Sequence, residues 1–394
     1  MSSMPRVAVV GGSLGGLTAA LLLRDLGCTV NVYERSAAEL EARGAGIAVL
    51  EATWRYPVER LGLPAEEFAS QTRWVRFHSP DGSIVFEEDH PYYLSSWNAV
   101  YRVLLKGYGR EHYHLASEVI DFHDTGDHVE ITLADGRTDT VDLLVFADGI
   151  TSGARARLLP DVEREYAGYV AWRGVMPESE LKQATFDELH DTLAYQVMEH
   201  SHILVYPIPG PTGDKEPGKR LMNIVWYRNV PPDELGDLLT DVHGEQRQVS
   251  VPPGLMREDA IAEMRETART HLAPQLAEVV TSVPEPFVQA VFDIEVPQMR
   301  FGRVCIIGDA AFAARPHAAA GTAKAAENGW ILAEELSKAN GDVLAALAAW
   351  EPRQLELGHN LLKRTREIGY RSQFEGTYTP GDPNFVFGLY GPGH

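Results

Sequence analysis

The 394-residue chain predicts an α/β fold, a Rossmann-like parallel sheet interrupted by a smaller β-rich domain, on three observations. The N-terminus runs strand, glycine turn, helix, strand. A long middle interval reads as strands without that alternation. Near residue 300 a strand, a small-residue turn and a helix return.

Val7 to Val10 is a short run of β-branched and small residues, read as a buried strand, and Leu14 to Leu26 is apolar and unbroken until Gly27, read as a helix. Between them stands Gly11-Gly12-Ser13-Leu14-Gly15-Gly16. A second strand, Thr29 to Tyr33, ends in Glu34, at the spacing of a carboxylate that meets a ribose hydroxyl in a dinucleotide site. In such a turn the first glycine allows the bend, the second close approach to a pyrophosphate, and the third close packing of helix on strand. Ser13 replaces only the second, and at a helix N-terminus its hydroxyl is suited to cap the helix or donate to a phosphate. The turn is therefore read as a phosphate cradle, against the alternative of a glycine-rich turn that binds nothing.

Gly44 and Gly46 mark a turn before a helix near Trp54 to Leu61, and "WVRFHSPDGSIVFEE" reads as a hairpin turning at Asp81-Gly82. Tyr101 to Tyr108 reads as helix. A second hairpin turns at Asp135-Gly136, and an apolar strand then ends at Asp148-Gly149. From Tyr166 to Pro286, "YVAWRGV", "HILVYPIPG" and "LMNIVWYRNV" read as strands and Glu258 to Val280 as one helix. "GRVCIIGDAAFAARPHAAAG" then gives a strand, a turn with Asp309 and a small-residue loop before a long helix. The expected organisation is a nucleotide domain from 1–71, 98–165 and 287–350, and a substrate domain from 72–97 and 166–286. A C-terminal helix and irregular tail fill 351–394. The tail is either held on the surface by Phe385, Phe387 or Tyr390, or disordered.

The balance of 35 Lys and Arg against 56 Asp and Glu, a formal charge of −21, disfavours nucleic acid as a partner. No run is long enough to span a bilayer, so a cytoplasmic protein without membrane contact is expected. Cys28 and Cys305 lie beside or within predicted core strands with no metal-ligand spacing, so they read as buried small hydrophobes and no metal is expected.

The glycine turn with Glu34, the strand end "ADGITSGARARL" and the strand end "GDAAFAARPHAAAG" together resemble the single-component flavin-dependent aromatic hydroxylases over essentially the whole chain. The resemblance implies a Rossmann-like FAD-binding domain, FAD lying across all three segments, NAD(P)H as reductant, O2 and a small aromatic substrate as partners, and a homodimer. It places Gly11, Ser13, Leu14 and Gly16 at the pyrophosphate and Glu34 at the adenosine ribose, with Arg35 and Val119 beside the adenine half. Asp309 falls to the ribityl or pyrophosphate side, and Asp148, followed by Gly149 and Arg155, serves FAD and reductant. The loop from Pro316 through Ala320 to Gly321 lies against the isoalloxazine, with the following helix aimed at the flavin pyrimidine. Gly46 and Arg102 complete the cofactor set; Arg102 stands next to Tyr101, which replaces the family's usual arginine. Ala319-Ala320-Gly321 replaces Gly-Gln-Gly, Phe312 a common histidine, and Asn328 an acidic residue.

Within the family, "AGYVAWRGV", "ARPHAAAG", "WEPRQLELGH" and "DPNFVFGL" are most similar to the branch acting on 2,6-dihydroxypyridine, so an electron-rich hydroxypyridine is the expected substrate. Another phenol or N-heteroaromatic is the alternative. The implied cycle reduces FAD with NAD(P)H, forms a flavin hydroperoxide with O2 and transfers its terminal oxygen to the ring. Such a ring reacts best as its anion, so a base near neutral pKa is wanted. Alternation turns His202 and Tyr206 to one face of "SHILVYPIP", and "LMNIVWYR" can offer Trp226 or Tyr227 to the same side. His317 is the other candidate base, each histidine having a structural hydrogen bond as its alternative role. Arg315 is a candidate anchor for an anionic substrate, or the partner in a salt bridge; Trp172 and Arg173 are secondary candidates. A dehydrogenase or oxidase on the same nucleotide domain, or a flavin-binding protein without turnover, are the rival functions.

Overall fold

The computed structural model describes residues 4–40 and 46–394, which leaves Gly44 outside the described residues. A six-stranded sheet runs in the order Arg300–Phe301, Val304–Ile306, Leu143–Phe146, Arg6–Val10, Thr29–Tyr33, Tyr113–His114. All neighbours are parallel except the first hairpin pair. Val7, Val9, Leu143 and Val145 are fully buried, as expected for central parallel strands covered on both faces. The Leu14–Asp25 helix packs beside the Gly321–Lys338 helix, and Gly329 makes the close approach possible: a Cβ there would lie 3.0 Å from Ala19 Cα. A three-stranded antiparallel sheet, Val119–Asp124, Val129–Leu133 and Thr138–Val141, buries Val129, Ile131 and Leu133 in the same core.

The second sheet has nine strands, in the order Ser250–Val251, Phe287–Asp293, Glu165–Pro177, Leu221–Asn229, Ser201–Ile208, Thr192–Met198, Ser70–His78, Ile84–Ser96, Gly46–Ala48. Its two faces have separate uses. Val170, Trp172, Ile203, Val205, Ile224 and Trp226 pack with Ile261, Met264, Leu276 and Val280 of the covering helices. The alternate residues, among them Tyr169, Ala171, Leu204, Tyr206, Val225 and Tyr227, form a different apolar cluster on the opposite face.

The α/β fold with an inserted β-rich sheet agrees with the sequence, and two elements differ from expectation. The single helix over Glu258 to Val280 is two helices, Glu258–His271 and Pro274–Ser282, because Pro274 has no amide hydrogen to continue the first and starts the second. Thr192–Met198 is a further strand. The C-terminal tail is packed, with Phe385 and Phe387 buried while Tyr390 is exposed. Cys28 and Cys305 are buried and unbridged, and burial pushes the Cys28 thiol up to about 11. Among the described residues no helix is long and apolar enough to cross a membrane.

Candidate active site

A cavity of about 1070 Å³ lies between the two sheets, large for the pocket of one small ligand. At one end it is lined by Glu34, Arg35 and Val119, then by the turn residues Gly11, Ser13, Leu14 and Gly15. Gly11 has φ +105°, and a Cβ there would lie 2.3 Å from the Ala147 carbonyl oxygen, so only glycine makes this bend. Ser13 occupies the helix N-cap but its hydroxyl makes no cap hydrogen bond. Gly16 does not line the cavity. A Cβ on it would meet the Gly11 carbonyl oxygen, so it serves helix–strand contact, and Gly15 takes the place expected of it at the cavity wall. The Glu34 carboxylate is buried and already accepts two backbone N–H bonds, from Gly12 and from Ser36, each at 2.9 Å.

The middle of the cavity is formed by Asp148, Gly149, Gly308 and Asp309. Asp148 Oδ1 is buried without a hydrogen-bond partner among the described residues, and burial raises the carboxyl pKa. Arg155 does not line the cavity. Its guanidinium donates to the carbonyls of Ala310 at 3.0 Å and Ile150 at 2.8 Å, clamping the two strand-end loops together. Asp309 pairs with buried Lys324 at 3.1 Å. Asn328 Oδ1 accepts from Gly308 N at 2.9 Å, holding the same loop where an acidic residue was expected.

Pro316, His317, Ala319, Gly321 and Thr322 follow along the wall, at the N-terminus of the Gly321–Lys338 helix. Ala319 has φ +53°, the left-handed region that explains why glycine is usual there. Ala320 is buried behind this wall and does not line it. Gly46, whose N–H donates to Asn223 Oδ1 at 2.7 Å, and Arg173, which donates to the Gly46 carbonyl at 2.8 Å, border the far chamber.

That chamber brings together His202, Tyr206 and Tyr227 with His317. The His202 and His317 rings are 5.3 Å apart, and Tyr227 lies 4.7 Å from each. His202 Nδ1 is 3.1 Å from Gln373 Nε2, and His317 Nε2 is 2.6 Å from the Tyr169 hydroxyl. Burial drives the His202 pKa down to about 3 and that of His317 well below its usual value, so both are neutral at pH 7 and neither is the near-neutral base that was expected.

Three expected site residues lie elsewhere. Trp226 points to the helix-covered face, where its Nε1 donates to Ser201 Oγ at 3.0 Å, because adjacent strand residues face opposite ways and Tyr227 takes the chamber side. Arg315 is held by Asp293, with its Nη2 2.9 Å from Oδ2, and does not line the cavity. Arg102 donates to the Pro211 carbonyl at 2.9 Å outside the cavity, since a helix turns its neighbour Tyr101 inward and rotates residue 102 away by about 100°. Sequence reasoning missed Tyr195 and Val225 on the chamber wall, as well as Tyr378, Phe385 and Phe387 from the tail.

A family model described as FAD binding domain-like matches residues 166–293. The chain is 36% identical over 387 residues to 2,6-dihydroxypyridine 3-monooxygenase of Paenarthrobacter nicotinovorans, covering 98% of this chain and 96% of that protein. The chain belongs to the FAD-dependent aromatic monooxygenases. The solved structure of 2,6-dihydroxypyridine-3-hydroxylase from Arthrobacter nicotinovorans matches this monooxygenase with a TM-score of 0.93 at 34% identity, over 99% of this chain and 98% of the other. 6-Hydroxynicotinate 3-monooxygenase of Pseudomonas fluorescens is 27% identical over 408 residues, covering 98% and 96% of the two chains. Salicylate hydroxylase in complex with substrate shares the fold, with a TM-score of 0.74 at 24% identity over 96% and 90%.

FAD is the cofactor of this monooxygenase, and the residues present fit it. The cavity is large enough to take a dinucleotide, the Gly11 turn leaves backbone bare beside a helix N-terminus, and Asp148 Oδ1 has no donor among the described residues.

Proposed function

We propose that this monooxygenase hydroxylates an electron-rich hydroxypyridine, 2,6-dihydroxypyridine to 2,3,6-trihydroxypyridine, with NAD(P)H and O2. The observation that carries the reading is the far chamber, where two neutral histidines and a cation are walled by aromatic rings beside the Pro316–Gly321 loop. The 36% identical relative named for this substrate supports it.

Gly11, Ser13 and Leu14 would hold the FAD pyrophosphate, Glu34, Arg35 and Val119 its adenosine half, and the Pro316–Gly321 loop its ring system. When bound, FAD supplies the redox chemistry that takes electrons from NAD(P)H and delivers one oxygen atom of O2 to the substrate. The chain's own residues orient the ring and favour its anionic form. His202 Nδ1 accepts from Gln373 Nε2, so the neutral ring carries its hydrogen on Nε2 and donates it to a substrate oxygen. With a pKa of about 3 His202 takes up no proton, so it acts as a neutral donor that orients the ring and stabilises negative charge on its oxygen. His317 and Tyr206 face the same ring. Arg173 donates to the Gly46 carbonyl and to Gln289 Oε1 at 3.3 Å, and no carboxylate pairs with it among the described residues. Its charge favours the anionic ring. The aromatic walls keep water from the reacting centre.

The test is anaerobic mixing followed by isotopic labelling. The FAD absorbance should persist with 2,6-dihydroxypyridine alone, bleach with NAD(P)H, and the product formed under ¹⁸O2 should carry one label. Bleaching by substrate alone would mark a dehydrogenase or oxidase, and unlabelled product would exclude oxygen insertion. His202→Gln should lower hydroxylation about 10²-fold and divert reducing equivalents to hydrogen peroxide while FAD content is retained.

A further inference from the structure

After the long helix Val343–Tyr370, the chain makes one π-helical turn, Arg371–Glu375, and reverses at Gly376, φ +64°. It then runs back as a strap across the chamber. Two arginines tie it down. Arg371 donates to the Thr377 carbonyl and to Asp382 Oδ2, each at 2.8 Å, and Arg364, on the helix, donates to the Gly388 carbonyl at 2.8 Å. Gly388 N in turn donates to the Ala318 carbonyl at 3.1 Å, so the strap is joined to the loop that borders the cavity.

The strap gives three rings to the cavity wall: Tyr378, Phe385 and Phe387. Tyr378 is stacked on His202 with centroids 5.3 Å apart and planes 11° from parallel, and Phe385 backs it at 3.9 Å. Tyr378 is only 7% exposed, yet its hydroxyl makes no hydrogen bond among the described residues. A buried phenol that lines a ligand cavity without a protein partner is a donor whose acceptor comes with the ligand. Burial raises its pKa well above the usual value, so it remains a neutral O–H at any working pH.

We propose that Tyr378 is a substrate-recognising residue whose hydroxyl donates a hydrogen bond to an oxygen of the bound hydroxypyridine, so that the C-terminal strap helps decide which rings the site accepts. The inference rests on the hydroxypyridine reading above and assigns it a specificity residue outside the two sheets. A site built to satisfy a substrate oxygen discriminates against rings that lack it, because the donor is then left buried and unpaired.

The experiment compares wild type with Tyr378→Phe, which keeps the ring stacked on His202 and removes only the hydroxyl. FAD-loaded protein is titrated with 2,6-dihydroxypyridine and with 2-hydroxypyridine, and Kd is read from the flavin spectrum. The variant should bind 2,6-dihydroxypyridine roughly five- to tenfold more weakly, and its preference for that ring over 2-hydroxypyridine should fall by a similar factor. An unchanged preference, whether affinity holds or drops equally for both rings, overturns the role of Tyr378 alone. A wild-type protein that binds neither ring overturns the substrate reading and this inference together. FAD stoichiometry and thermal midpoint, measured on the same samples, identify a variant that fails by misfolding; Tyr378→Leu, which loses hydroxyl and stacking, must then show at least the loss of preference seen with phenylalanine.

Discussion

Replacing Glu34 by alanine removes a side-chain acceptor from two backbone N–H groups, those of Gly12 and Ser36, each 2.9 Å from a separate carboxylate oxygen. Hydrogen bonds to a charged acceptor contribute about 1.5–3 kcal/mol each, so losing both sets an upper range of about 3–6 kcal/mol. Water entering the space left by the side chain restores part of this, and about 3 kcal/mol is the expected loss. Glu34→Gln keeps one acceptor and should lose about half as much. The assay is urea unfolding of the FAD-free protein, where the midpoint should fall with the slope unchanged, the mark of a stability change without altered compactness. FAD titration of the same variants adds the second effect, weaker binding by about 1–3 kcal/mol where the carboxylate also accepts the ribose hydroxyl. FAD-free Glu34→Ala with wild-type stability would refute the assignment of the carboxylate as a brace for the turn.

Acid should destabilise the fold through the buried histidines. His202 takes up its proton near 6.5 in the unfolded chain but only near 3 in the folded one, so its contribution is complete above pH 6.5 and is lost as the pH falls toward 3. The slope is about 1.4 kcal/mol per pH unit per proton, and His202→Gln should make the acid limb of a urea-midpoint profile measurably shallower. Arg220 pairs with Glu178 at 2.7 Å, the two side chains 4% and 0% exposed, so Arg220→Met strands a buried carboxylate and should cost about 3–5 kcal/mol in unfolding free energy, read by denaturant titration. Removing both charges with Glu178→Gln in the same chain should recover much of that loss.

How far the sequence reached depends on the range of the determining contact. The Leu14–Asp25 helix, the Glu34 carboxylate and the face shared by His202, Leu204 and Tyr206 follow from local period and spacing, and the structure puts them at the cavity. The choice between Trp226 and Tyr227 does not, because Leu221–Asn229 is buried on both faces and its apolar run carries no mark of which parity meets the helices. Arg315 was undecided for the same kind of reason: its partner Asp293 ends a strand 22 residues earlier, a contact only the tertiary fold creates. The break between Glu258–His271 and Pro274–Ser282 was readable, since Pro274 itself announces it. The tail rings lack any period, and their segment is tied down by Arg364 of the preceding helix and Arg371 of the π-helical turn.

The nine-stranded sheet separates two tasks by parity along single strands: in Ser201–Ile208 and Leu221–Asn229, residues 202, 204, 206, 225 and 227 face the chamber while 203, 205, 224 and 226 grip the covering helices. Neighbours in the chain are thus uncoupled in consequence. A library randomised at every second position can redraw the shape presented to a ring while leaving the scaffold's internal packing intact, and shifting that library by one residue would spend its diversity on unfolded proteins.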